Sequence, residues 1–231
     1  MFALLTTKST HHIYYENQIY RNFKNIITIF ETKVIKSNFQ TSIKFEKKRD
    51  KYEKKVFFNN KNPKFKSKTF KVNNINDPKV IDILKKNKVK YLIVFGTRKI
   101  TLEILKFYKN KIFNLHGGNP EEYRGLDSHY WSIYHNDFNN LVSCIHLMNK
   151  KLDDGKIIFM LKLKIPKKTK IYQLREINTK NCINISSKLL KRISNLDKVK
   201  LYNQNKIGRY YSFMPKDLKN ICQKKFEKFY Y

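Results

Sequence analysis

Apolar positions along the chain fall into short continuous runs that alternate with stretches where they recur at helical spacing. Phe2 to Thr7 is a first apolar run and predicts a strand. In "STHHIYYENQIYRNF", Ile13, Tyr14, Ile19 and Tyr20 follow at helical spacing, with Ser9 or Thr10 as N-cap. Asn25 to Glu31 is β-branched and predicts a second, buried strand. Residues 32–70 are basic and weakly patterned. Within them "FEKKRDKYEKKVFF" predicts a helix with Phe45, Tyr52, Val56 and Phe57 on one side, and "KTFKV" ends the region as a short strand.

The pattern then sharpens. Asp77 as N-cap and Pro78 at the first helical position start a helix whose apolar face is Val80, Ile81 and Leu84. Lys90 to Gly96 is a continuous apolar strand, "TLEILKFYKN" a short helix, and Lys111 to His116 the next strand. "DSHYWSIYHND" is a helix capped by Asp127 or Ser128. Leu141 to Met148 and Lys156 to Ile165 are two further strands, and Pro166 closes the unit. Strands buried on both faces and alternating with helices imply a three-layer α/β domain around a mostly parallel sheet. We place this domain at residues 1–165. Residues 166–231 form an appendage with one helix, "NCINISSKLLKRIS", and a basic, aromatic tail.

Composition changes this picture mainly through charge. The 231 residues are enough to bury a core without staples. The net charge is +32, which suits nucleic acid or another anionic ligand. However, the basic residues are 43 Lys and only 7 Arg, amid abundant Asn, Ile, Phe and Tyr. All of these except Arg have A/T-rich codons, so biased base composition is the favoured reading. Arg, the residue best suited to bidentate phosphate contacts, is scarce. Three widely spaced Cys without a C-x-x-C suggest neither a disulfide framework nor a zinc site. No run approaches the length of a membrane span, and "MFALLTTKST", with a short apolar run and no basic segment before it, is not expected to act as a signal peptide. A reducing, cytoplasmic setting is expected, and the aromatic tail makes a homodimer plausible.

Candidate chemistry centres on "FNLHGGNPEEYRGLDSHYW", which holds three of the six Gly, two of the six His and the only Trp. Asn114 and His116 are one residue apart on a strand, so their side chains share a face while Leu115 turns to the core. "LDDGKI" joins two apolar strands as a tight turn with two carboxylates. A carboxylate can orient a His and favour its imidazolium form, and an amide beside that His can donate to a developing oxyanion. The combination suits acyl transfer to an amine without a covalent enzyme intermediate.

The order Asn-x-His, Tyr-Arg-Gly, a Trp-containing helix, His-x-Met at a strand end and Leu-Asp-x-Gly-x-Ile resembles the folate-dependent formyltransferases. That family includes the methionyl-tRNA, glycinamide ribonucleotide and sugar-nucleotide N-formyltransferases. The resemblance spans about Lys79 to Ile158. It implies a Rossmann-like domain, 10-formyltetrahydrofolate as formyl donor, no metal, and Asn114, His116 and Asp153 as the catalytic trio. It also implies a folate-lining loop with Phe95, Gly96 and Thr97, and a closing loop with Tyr123, Arg124 and Gly125. The acceptor expected is a small anionic amine, above all an amino-sugar nucleotide. Transfer to methionyl-tRNA or phosphoribosylglycinamide is the alternative, and a non-catalytic nucleic-acid-binding protein is a third.

Three features depart from the family pattern. Val142 and Cys144 stand where Gly and Thr precede the second His, "GGNPEE" replaces Ser-Leu-Leu-Pro, and no Gly-rich turn follows the first strand. His146 reads as a residue that packs or supports the site from behind, His11 and His12 as helix-start residues, His129 and His135 as partly exposed helix residues, and "GRYYSFMP" as a docking segment covering the sheet edge.

Overall fold

The computed structural model describes residues 1–33 and 35–231. In chain order the elements begin with β1 (Phe2–Thr7), α1 (Thr10–Asn22), β2 (Ile26–Glu31), α2 (Lys44–Phe58) and β3 (Lys68–Val72). They continue with α3 (Pro78–Lys86), β4 (Tyr91–Phe95), α4 (Leu102–Phe107), β5 (Ile112–His116), β6 (Tyr123–Gly125) and α5 (Ser128–Tyr134). The last are β7 (Val142–Leu147), β8 (Ile157–Lys162), α6 (Leu174–Ser194), β9 (Arg209–Tyr211) and α7 (Lys216–Tyr230).

Seven strands form one sheet in the order β3-β2-β1-β4-β5-β7-β8. The five from β3 to β5 are mutually parallel, and β7 and β8 add antiparallel. This is the Rossmann-like α/β arrangement. The chain runs outward from β1 through β2 to β3, then resumes at β4 on the other side of β1. Such a switch point opens a crevice at the carboxyl ends of the strands, here beyond Thr7, Phe95 and His116.

Alternation within each strand feeds two cores. Leu4, Ile93, Phe113, Leu115 and Ile145 pack against Tyr15 and Ile19 of α1 and Ile185 and Leu189 of α6. Leu5, Ile29, Leu92 and Val94 pack against Val80 and Leu84 of α3 and Ile104 of α4. α3 starts as the sequence indicates, with Pro78 in its first turn and the Asp77 carboxylate accepting from Lys79 N at 3.1 Å. A third core joins Phe45 of α2, Ile133 of α5, Leu174 of α6, and Cys222 and Phe226 of α7.

Several elements differ from the sequence reading. α6 begins at Leu174, seven residues before the expected start at Asn181, because its polar first turns bury Glu176, Asn178 and Thr179 in specific pairings. It covers one face of the sheet, so packing continues across Pro166. The aromatic tail contains α7, with Cys222 and Phe226 four residues apart and both buried. β8 ends at Lys162. Val56 is 42% exposed instead of facing the core, and α2 buries Phe45 and Glu53. A parallel ladder of three residues joins β6 to β9, too short for a period-two pattern to reveal. Among the described residues, no helix is long and apolar enough to cross a membrane.

Candidate active site

The site is assembled by strand register. β5 and β7 pair antiparallel with Asn114 opposite His146, and directly opposed residues project to the same face. Asn114, His116 and His146 therefore stand together. The β7–β8 turn brings Asp153 to them. Asp153 adopts φ +50°, a left-handed conformation costly for a non-glycine residue. Two residues on, Gly155 lies so close to β7 that a Cβ there would sit 1.7 Å from Leu147 O. Only glycine lets the turn fold back this tightly.

The Asp153 carboxylate is the hub. Oδ1 accepts from Asn114 Nδ2 at 3.1 Å and lies 3.5 Å from His146 Nε2. Oδ2 accepts from Gly125 N at 2.9 Å and lies 3.7 Å from His116 Nδ1. Burial by itself would raise this carboxyl's pKa. The His116 and His146 rings and the Gly125 N–H outweigh that effect and hold it well below the usual carboxylate range. Asp153 is therefore ionised throughout the neutral range. His116 Nε2 lies 2.7 Å from the Tyr123 carbonyl, which can only accept, so Nε2 carries hydrogen. Its other nitrogen faces Asp153. Both ring nitrogens thus face acceptors, an arrangement that an imidazolium satisfies. Asn114 is half-buried.

The loop Tyr123–Gly125 holds this hub residue by residue. The Tyr123 carbonyl receives His116, and its hydroxyl donates to Asp137 Oδ2 at 2.9 Å. Arg124 Nε donates to Leu152 O at 2.7 Å, and its Nη2 donates to the same carbonyl. Gly125, at φ +94°, gives its N–H to Asp153.

Beside the hub, at the switch point, lies a cleft of about 450 Å³. Phe95, Gly96, His116 and Gly125 line it, together with His11, His12, Arg49 and Arg175. Thr97, Tyr123 and Arg124 lie outside its lining. Thr97 Oγ1 turns to Arg98 O at 2.9 Å. Asn114 and Asp153 also lie outside it, next to the His116 that reaches the wall. Gly96 has φ +73°, and a Cβ there would meet the His12 ring at 2.3 Å. Burial, then the charge of Arg175, pushes His12 down to about 3. Burial also pushes His129 down to about 4, and it lowers His11 well below its ordinary value. These three imidazoles are neutral at pH 7.

The fixed positive charges of the cleft are then the two arginines. Arg49 is held by Asp50 at 3.0 Å and Glu46 at 3.2 Å. Arg175 makes a bidentate pair with the fully buried Glu53, both contacts at 2.6 Å, and reaches Asp50 at 3.0 Å. Among the described residues nothing accepts from Arg49 Nη2 or Arg175 Nη1. Sequence reasoning missed both arginines, which sit in lysine-rich segments; their scarcity was the available signal. His146, read as packing or as support behind the site, takes the supporting place, with its ring 3.3 Å from Asn114 Nδ2 and 3.5 Å from Asp153 Oδ1. The signal for His146 was the pairing of its strand with "KIFNLH".

The family model described as formyl transferase matches residues 18–182. Over 118 residues the chain is 38% identical to the bifunctional polymyxin resistance protein ArnA of Wigglesworthia glossinidia brevipalpis, covering 49% of this chain and 18% of that protein. Over 104 residues it is 32% identical to the methionyl-tRNA formyltransferase of Finegoldia magna, covering 45% and 33%. The chain thus spans a third or less of these curated relatives. The formyltransferase PseJ from Anoxybacillus kamchatkensis was solved with UDP-4,6-dideoxy-4-formamido-L-AltNAc and tetrahydrofolate. It superposes with a TM-score of 0.56 at 17% identity, over 92% of this chain and 86% of that one, a likeness of fold. With its family match covering well over half its length, the chain belongs to the formyl transferase family.

Proposed function

We propose that the chain moves a formyl group from 10-formyltetrahydrofolate to the primary amine of a nucleotide-linked amino sugar. The observation that carries the reading is the hub of Asn114, His116 and an ionised Asp153 at the switch point. Phe95, Gly96 and Gly125 offer the donor an aromatic wall and close backbone approach, with Thr97 in the loop just beyond. Tyr123 and Arg124 act by placing the hub.

Bound folate supplies the formyl carbon. When the acceptor nitrogen bonds to that carbon, negative charge gathers on the formyl oxygen. The Asn114 amide donates to it, and His116 does so once the formyl oxygen replaces the Tyr123 carbonyl as the partner of Nε2. Asp153 orients His116 and, as the ionised carboxylate, assists proton removal from the amine through water. The carbon–nitrogen bond to the folate then breaks, and its nitrogen regains a proton. For the acceptor, the support is the pair of part-free guanidinium groups in the cleft, which suits phosphate oxygens, and the sugar nucleotide bound to PseJ.

The methionyl-tRNA reading has its own support in the Finegoldia magna relative and in the charge of +32. Both are tested together. Formyl transfer is assayed with amino-sugar nucleotides, glycinamide ribonucleotide and charged initiator tRNA, using Asn114→Ala as control. We expect turnover of one amino-sugar nucleotide, reduced about 10²–10³-fold in the variant, the usual effect of deleting one oxyanion donor. Turnover of tRNA alone, with binding that weakens steeply in salt, would replace the sugar reading. No turnover of any amine sinks both.

A further inference from the structure

The residues beyond α6 form a strap across both loops of the site. Tyr202 and Ile157 exchange backbone hydrogen bonds at 2.9 and 2.8 Å, which fixes the strap to the start of β8. Asn205 N donates to Glu121 Oε1 at 2.5 Å, and Arg209 N donates to Glu122 O at 3.0 Å. Gly208 passes so near the other loop that a Cβ would meet Pro120 O at 2.4 Å. β9 then pairs with Tyr123–Gly125. At the centre of the strap is Gln204. Its Nε2 donates to Asp153 O and to Gly155 O, both at 2.9 Å. Its Oε1 is buried and, among the described residues, has no partner.

That orphaned oxygen is informative. The amide cannot be reversed, because Oε1 would then face two carbonyl oxygens. A buried acceptor without a donor is unfavourable, and here it accompanies two donor bonds to one turn. The turn is the one that needs them. Asp153 holds a left-handed conformation, which persists only where the surroundings over-determine it. The carbonyl of that residue and the carbonyl two positions on are the ones Gln204 grips.

We propose that Gln204 is a positioning residue of the formyl-transfer site: its amide fixes the turn that aims the Asp153 carboxylate, and the strap locks that turn to the Tyr123–Gly125 loop. This rests on the function proposed above. It extends the working site beyond the family-matched residues 18–182.

The test compares Gln204→Met, of similar length but without a donor, and Gln204→Glu, which sets a carboxylate against the two carbonyls. Lys206→Ala, which removes only an exposed pair with Glu122, serves as control. We expect kcat to fall about tenfold or more in Gln204→Met, and further in Gln204→Glu, with KM for both substrates within about twofold, as for a group that acts on alignment. Lys206→Ala should match wild type.

A second readout is independent of turnover. The Asp153 carboxyl, followed by carbon-13 NMR, should titrate at higher pH in Gln204→Met, because the carboxylate drifts from His116, His146 and the Gly125 N–H. Arg124, on the preceding carbonyl, stays in place. An Asp153 titration and kcat unchanged from wild type would overturn the proposal. So would a rise in KM alone, which marks a binding contact. If wild type formylates no amine, the function proposed above fails, and the carboxyl titration still decides whether Gln204 places Asp153.

Discussion

Asp153 concentrates the chemistry of this molecule in one side chain. Two imidazoles, an amide and a backbone N–H converge on its two oxygens. Asp153→Asn keeps the shape and removes the charge. Loss of a positioned acid–base group costs about 10²–10⁴-fold, so kcat at neutral pH should drop in that range. Stability should respond as well. The folded-state pKa lies below the unfolded value of about 3.9. The ionised carboxylate therefore stabilises the fold above that value, and the contribution is lost as pH falls toward the folded pKa. Melting temperatures from pH 6 to pH 2 should fall less steeply for Asp153→Asn than for wild type. A parallel pair of curves would show that Asp153 has no linkage to folding. Much of this site was legible in the sequence. Strand alternation put Asn114 and His116 on one face, and the Leu-Asp-x-Gly motif of the family resemblance pointed to Asp153. Gln204 was not legible. It reaches the turn from 51 positions away in sequence, within a segment whose polar residues follow no period.

At the scale of elements, the strands were readable because buried parallel strands are continuous apolar runs between polar segments. α7, β6 and β9 were not. The lysines of α7 interrupt its apolar stripe, and Pro215 offers no capping side chain. β6 and β9 exist only through each other. α2 shows a different failure, since an amphipathic reading assigns Val56 to the core and overlooks Glu53. Glu53 can be buried because Arg175 of α6 meets both its oxygens. This pair joins the insertion between β2 and β3 to the helix that covers the sheet. Arg175→Met would leave a buried carboxylate without its partner. Breaking a buried pair in this way costs about 3–5 kcal/mol, and the lower end applies because Arg175 is about a quarter exposed. Urea unfolding should show that loss, and Glu53→Gln in the same chain should recover part of it. If Arg175→Met unfolds at the wild-type midpoint, α2 does not depend on this link.

For the whole molecule, the open question is whether a charge of +32 does anything. The structure separates two kinds of cation. The 43 lysines outnumber the 7 arginines sixfold, yet the fixed charges lining the cleft are Arg49 and Arg175, each held by carboxylates with one nitrogen to spare. Local carboxylates offset much of the arginines' own field, so long-range attraction of an anionic acceptor has to come from the lysines. That attraction is screened over about 10 Å at 0.1 M salt and 3 Å at 1 M. The held guanidinium contacts are screened much less. Raising the salt concentration from about 0.05 to 0.5 M should therefore lower kcat/KM for a nucleotide-linked amine and leave kcat unchanged, since the field acts on encounter rather than on the bound state. An uncharged amino sugar should show no such slope. If charged and uncharged acceptors respond alike, the lysines are a product of base composition with no part in capture. Recognition would then fall to the two arginines, so that Arg49→Ala would raise KM for the charged acceptor equally at low and high salt.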